Sequence, residues 1–310
     1  MYKDDYKKLK TVINQLKVKY NFKGLYHFTD FKNLKSIIET GCLKSRAECQ
    51  NSEIDFLDAA NEDVIEHTKR DIKKCVRFYY KEKPPTLYKN EGIKVDNAKP
   101  HIPLPVYLLF DYELILLENT VFASCNAASA YVNFGKNFDF FKTMDWDKIF
   151  HRGSLHIEDT PLKREIISKR HAELLGLQDI SLNYLNKIFF RSKADYKRAI
   201  NLFGKNDKLE VDASLFNCNN NYIEDYTLEI HKQTHKTIDI NLEFNRRNYK
   251  NYTHRIIIKD LEPGNIVYDK RIKFTNGTGL KRHGKIKNLP NEQLRFEYYM
   301  NDILSVEKTI

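Results

Sequence analysis

Apolar residues recur at helical spacing over residues 6–20, where Leu9, Val12, Ile13, Leu16 and Val18 face lysines on the opposite side. This is the pattern of a helix with one buried stripe. Residues 24–29 read as a short strand. Asp30 then caps a helix whose stripe is Leu34, Ile37 and Ile38, and Gly41 ends it as the C′ residue. Charge-rich residues 46–70 suggest loops and a helix. The run 75–80 is a strand, stopped by Pro84-Pro85 because proline cannot donate to a ladder. Further strands are predicted over 105–109 and 120–124, with Asn126 heading a predicted helix over 127–133. Residues 134–169 show weak periodicity, and a loop of that length in a compact domain is functional or mobile. An extended pattern resumes at Glu173-Leu174-Leu175, and 182–203 holds a last strand and helix.

Beyond Gly204 the texture changes to short alternating strands at 228–230, 237–242, 254–258 and 265–268. Pro263-Gly264 and Asn276-Gly277 supply turn signals. The expected organisation is α+β: a mixed domain over 1–204, followed by an all-β module over 205–310 built as a small sandwich or barrel.

Composition narrows the class. Hydrophobic residues make up 41% of the 310, enough for a sizeable core and against global disorder. The 19 Tyr and 19 Phe suit β-rich packing, and also faces that stack nucleobases. The net charge of +10 favours a polyanionic partner. It is uneven, with 34 Lys/Arg against 27 Asp/Glu up to residue 204 and 18 against 15 beyond. Five cysteines without CxxC spacing read as reduced thiols, and no metal site is predicted, since neither HExxH nor a His/Cys cluster occurs. The P-loop and GxGxxG fingerprints are missing too. The charged N-terminus and the lack of a long apolar run predict a soluble, cytoplasmic protein with no membrane association.

Four ordered blocks carry a family resemblance. Tyr26-His27-Phe28-Thr29 is followed by Asn33-Leu34, Ile37-Ile38, Gly41 and Leu43. Next come Val76 to Tyr80 with Pro84-Pro85-Thr86-Leu87-Tyr88, then Val121-Phe122-Ala123-Ser124-Cys125-Asn126-Ala127-Ala128. The last is Arg170-His171-Ala172-Glu173-Leu174-Leu175. Together they resemble the DarT-type DNA ADP-ribosyltransferases, toxins that modify a DNA base using NAD. The likeness covers residues 1–204. Thr86 stands where methionine is usual, and Cys125 where aspartate or glycine is common.

The resemblance implies a split-sheet ADP-ribosyltransferase fold, NAD as substrate, single-stranded DNA as acceptor and a macrodomain-type antitoxin as partner. It makes Glu173 the catalytic carboxylate. Breaking the ribose–nicotinamide bond passes through an oxocarbenium-like state, which a carboxylate on the ribose hydroxyls stabilises. His27 and Thr29, two apart on one strand face, would hold ribose and the nicotinamide amide beside Phe28. For the pyrophosphate, Arg46 and Arg70 are the candidates, with Arg70 favoured for catalysis because the family draws an arginine from that region. Asn126 is a helix cap or a substrate contact. Arg170, three residues before the glutamate, is a candidate substrate contact. Trp146 lies among Phe138, Phe140, Phe141, Lys136, Lys142 and Lys148, a composition that suits stacking on single-stranded nucleic acid or core packing. Two rivals remain: the same chemistry on RNA or protein, and a non-catalytic nucleotide- or nucleic-acid-binding module.

Overall fold

The computed structural model describes residues 1–58, 70–95, 102–153, 155, 158, 160–218, 220–232, 234–245, 251–262, 264–273 and 281–310. By packing they form two units, one of Met1–Asn90 with Val106–Ile188 and the other of Glu91–Pro105 with Phe189–Ile310.

In the first unit, α1 (Tyr6–Tyr20) buries Leu9, Val12, Ile13 and Leu16, while Val18, two positions past Leu16, lies off that stripe and is exposed. It leads into β1 (Leu25–Asp30), and Asp30 accepts from the Lys32 amide to start the turn into α2 (Leu34–Thr40). Gly41 closes that helix at φ 66°, a left-handed position that a side chain resists. Then follow β2 (Cys42–Leu43), α3 (Arg46–Asn51), α4 (Arg70–Lys73), β3 (Val76–Tyr79) and α5 (Pro85–Asn90). The two prolines do stop the strand, and the second opens a helical turn, where its missing N–H costs nothing.

The chain continues through β4 (Pro105–Phe110), β5 (Thr120–Ala123), β6 (Phe134–Gly135), α6 (Phe138–Thr143), α7 (Trp146–Ile149), α8 (Thr160–Lys169), β7 (Glu173–Gly176), β8 (Ile180–Ser181) and β9 (Leu185–Phe190). The sheet order in this unit is β9-β4-β1-β3-β7-β5-β6. β3, β7 and β5 are antiparallel neighbours, with Tyr79 and Ala123 both in register with Glu173. β4 and β7 are buried along their whole length, as befits central strands.

Two expectations change here. Residues 127–133 form successive turns rather than a helix, with bonds from i+3 to i. The stretch 134–169 is not one long loop but carries α6, α7 and α8.

The second unit contains α9 (Lys193–Phe203), the helix expected to close the first domain. It is tied there by hydrogen bonds from Arg198 Nη1 to the Leu304 carbonyl (2.5 Å) and from Asn201 Nδ2 to the Glu307 carbonyl (3.0 Å). After β10 (Leu209–Val211) come β11 (Tyr222–Lys232), β12 (Lys236–Asn245), β13 (Thr253–Asp260), β14 (Ile266–Lys273), β15 (Lys281–Leu289), β16 (Leu294–Met300) and β17 (Ile303–Thr309). They make two antiparallel sheets, β11-β12-β15 and β14-β13-β16-β17. Alternate residues of both sheets, among them Tyr226, Ile238, Ile240, Ile258, Phe296 and Val306, share one core. The module is therefore a sandwich, not a barrel. The turn signals at Pro263 and Asn276-Gly277 lie outside the described residues.

Candidate active site

The site is assembled from four adjacent strands. Strand alternation places Arg77 and Tyr79 of β3 on one face, diagonal and opposite to Glu173 of β7. Glu173 is 0% exposed, and a buried carboxylate must be paired. Arg77 pairs it: Nε donates to Oε1 at 3.0 Å, and Nη2 to Oε1 and Oε2 at 2.7 and 2.9 Å. The Ala127 amide donates to Oε2 at 2.8 Å. Burial alone would lower the Arg77 pKa, but the Glu173 charge and hydrogen bonds outweigh it and hold the guanidinium protonated.

Asn126 completes the clasp. Its Oδ1 accepts from Arg77 Nη2 at 3.0 Å and from the Ala128 amide at 2.9 Å. The first contact orients Arg77, and the second closes an Asx turn. Beyond it the backbone closes i+3 turns, Ser129 N to the Asn126 carbonyl at 2.9 Å and Val132 N to the Ser129 carbonyl at 3.4 Å, in place of the predicted helix over 127–133. Asn126 is thus a turn-former that holds an arginine rather than a helix cap.

On β1, His27 Nδ1 donates to the Arg77 carbonyl at 2.9 Å, because a carbonyl can only accept. Burial lowers the His27 pKa to about 4; the Arg77 charge also lowers it, and the carbonyl bond opposes both. The ring is neutral at physiological pH and keeps Nε2 as an acceptor. Thr29 Oγ1 accepts from Asn33 Nδ2 at 2.9 Å, and Asn33 in turn grips the Leu57 amide (2.7 Å) and carbonyl (2.9 Å). Phe28 stacks on Tyr79 at 5.4 Å between centroids. Burial, and then the charge of Glu173, push the Tyr79 hydroxyl well up, so it stays a protonated donor.

His27, Phe28, Thr29, Arg77 and Tyr79 line the inner end of an open cleft bounded by α2, α3 and residues 54–58, with a cavity volume of about 200 Å³. Arg46 and Lys73 line it too. Arg46 Nη2 donates to Asp58 Oδ1 at 2.6 Å, which commits its charge locally. Lys73 has no carboxylate partner among the described residues.

The other expected residues lie elsewhere. Arg70 opens α4, and its side chain falls outside the described residues. Arg170 Nη2 donates to the Gly153 carbonyl (2.7 Å) and to His151 Nδ1 (2.5 Å), so it pins residues 151–153 rather than touching Glu173. Trp146 is a core residue, 8% exposed, packed edge-on to Tyr80 and Phe141 at 5.1 and 4.7 Å, with Nε1 donating to the Phe141 carbonyl. Trp146→Ala is expected to lower stability by about 3–5 kcal/mol, read as a shifted urea midpoint. A change under about 0.5 kcal/mol, the range of surface substitutions, would return Trp146 to the surface.

Sequence reasoning missed Arg77, Tyr79 and the Ala127 amide. Only Arg77 left a trace, as the one charge in an aromatic strand.

A buried carboxylate aligned by an arginine, next to a strand bearing a neutral histidine and a threonine at a cleft, has the parts an NAD-cleaving transferase needs. The model of the family described as DarT, ssDNA thymidine ADP-ribosyltransferase, matches residues 26–221, and the chain belongs to that family. The family's activity is transfer of ADP-ribose from NAD to single-stranded DNA. Thermus sp. 2.9 DarT in complex with ADP-ribosylated ssDNA shares the fold at 16% identity and TM-score 0.51, covering 62% of this chain and 95% of that one. Thermosipho africanus DarTG in complex with ADP-ribose aligns at 19% identity and TM-score 0.50, covering 63% and 51%. Thermus sp. 2.9 DarT in complex with NAD+ aligns at 16% identity and TM-score 0.48, covering 62% and 96%. Comparison with curated proteins gives no match. The strands of the β sandwich, from Tyr222 onward, all lie beyond the family match.

Proposed function

We propose that this protein moves ADP-ribose from NAD to a thymine of single-stranded DNA, with Glu173 as the catalytic carboxylate. The observation that carries this reading is the clasp on Glu173: full burial, three hydrogen bonds from Arg77 and one from the Ala127 amide. Together with the hydrogen bond from the Tyr79 hydroxyl, those contacts leave the carboxylate fully partnered. A ribose hydroxyl would therefore replace one Arg77 contact, while the rest keep the group aimed.

Departure of neutral nicotinamide breaks the anomeric C–N bond and leaves positive charge on the ribose. Glu173 stabilises that charge, and the ring N3 of the base forms a bond to the anomeric carbon as its N–H bond breaks, the proton passing to water. His27 Nε2 accepts from the nicotinamide amide or a ribose hydroxyl, Thr29 hydrogen-bonds the same end, and Tyr79 and Phe28 supply apolar walls. Lys73 at the cleft is better placed than Arg46 to meet the pyrophosphate, since Asp58 already neutralises Arg46. Arg70 is retained as a catalytic candidate on the family resemblance alone.

The test is mass spectrometry of DNA and RNA oligonucleotides, each base represented, after incubation with NAD and protein. The expected result is an ADP-ribose adduct on thymidine in DNA. Adducts confined to RNA, or to another base, would overturn the reading. On the family resemblance, the same reading makes the protein a cytoplasmic toxin, restrained by a macrodomain-type partner that removes ADP-ribose. Among the described residues no helix is long and apolar enough to cross a membrane.

A further inference from the structure

Asn33 lies just beyond β1 and is buried at 7% exposure. The backbone of Leu57 fixes which way its carboxamide points. The Leu57 amide can only donate, so the atom 2.7 Å from it is Oδ1; the Leu57 carbonyl can only accept, so the atom 2.9 Å from that one is Nδ2. The second proton of Nδ2 goes to Thr29 Oγ1 at 2.9 Å. Thr29 therefore accepts from Asn33 and keeps its own proton. Among the described residues its hydroxyl makes no other hydrogen bond. Thr29 is buried and lines the cleft, so the donor it retains is one that a ligand in the cleft must satisfy.

His27 is fixed in the opposite sense. Its Nδ1 donates to the Arg77 carbonyl, which leaves Nε2 as an acceptor. On one face of β1 the cleft thus meets an acceptor at His27 and a donor at Thr29. Neither role can be exchanged without breaking the bond to Arg77 or to Asn33.

We propose that this fixed order selects a neutral carboxamide on the bound dinucleotide, its N–H toward His27 and its oxygen toward Thr29, with Asn33 as the positioning residue that sets the Thr29 half. This rests on the reading that places His27 and Thr29 at the nicotinamide end, and deepens it. A carboxylate in the same place would turn an oxygen lone pair on Nε2, and a methyl ketone would leave Nε2 without a donor. A site built around an N–H discriminates strongly against analogues that lack it. Asn33 also ties residues 54–58, a wall of the cleft, to β1; a purely structural clamp would do only that.

Calorimetry without DNA measures the binding of NAD, its acetylpyridine analogue and its nicotinic acid analogue. Wild type should bind the acetylpyridine analogue about tenfold more weakly than NAD, and the carboxylate more weakly still. Equal affinity for NAD and either analogue overturns the selection. Asn33→Asp and Asn33→Ala then test the positioning. Aspartate takes the Thr29 proton, so the hydroxyl no longer donates to the ligand, whereas alanine leaves that proton free. NAD should bind about tenfold more weakly to Asn33→Asp than to Asn33→Ala, and in a Thr29→Val background the two should agree within about twofold. A structural clamp predicts the reverse order, because aspartate keeps the bond from the Leu57 amide and alanine keeps none. That order, or a difference that survives Thr29→Val, overturns the role of Asn33. If Asn33→Asp does not fold, the Asn33→Ala and Thr29→Val losses decide: they should combine to less than their product, and a full product overturns the role. Because DNA is absent, a failed transfer reaction leaves the selection standing, and a lost selection leaves the transfer reaction standing.

Discussion

Replacing Glu173 by glutamine is expected to reduce ADP-ribosyl transfer by at least about 10²–10³-fold, the usual effect of removing one preorganised electrostatic contact from a transition state. The amide keeps the shape of the carboxylate but not its charge. It also presents an NH2 where only acceptors now stand, facing either Arg77 Nη2 or the Ala127 amide. One of those donors loses its bond, so stability should fall by about 1–3 kcal/mol. NAD affinity should change far less than turnover, because His27, Thr29 and the cleft walls are untouched. Single-turnover transfer and calorimetric NAD binding, measured together, separate the two effects. Transfer within tenfold of wild type would remove Glu173 from the chemistry. A collapse of NAD affinity with transfer unchanged at saturation would make it a binding residue only.

How much of this was legible in the chain differs from residue to residue. β1, α2 and their Gly41 terminus follow from local patterns, because a cap, a stripe and a left-handed glycine are short-range devices. The strands of the sandwich up to β14 follow from alternation, whereas β15, β16 and β17 were not read. Charges break their alternation, with Glu297 of β16 buried and Glu307 and Lys308 of β17 adjacent, and the hairpin signal before them could not say how many strands follow. Arg77 and Glu173 are separated by 96 positions. Their meeting is set by the register of β3 on β7, which no local pattern encodes. Trp146 shows the converse limit. Aromatic residues interleaved with lysines look the same whether the rings turn inward or outward, and here Trp146 and Phe141 are buried while Phe138 is only half-buried. Arg46 was open to two readings until Asp58, twelve positions on, claimed its charge.

Replacing Arg77 by methionine should cost about 3–5 kcal/mol of stability, because it strands Glu173 at 0% exposure without its cation. That is a large part of the roughly 5–15 kcal/mol that holds a typical domain together. Arg77 itself is 27% exposed, so the desolvation penalty falls mainly on the carboxylate. The double variant Arg77→Met/Glu173→Gln should therefore recover most of the loss, since removing both charges leaves no ion unpaired. Transfer should not recover with it. Urea denaturation of wild type, both single variants and the double variant gives the coupling directly. If the two single effects simply add, the ion pair is not what sustains the buried carboxylate, and Arg77 acts through Asn126 alone. If stability recovers while transfer stays low, the same pair both holds this part of the sheet together and sets the carboxylate in place for the reaction. The stability of the site and its chemistry would then rest on one guanidinium.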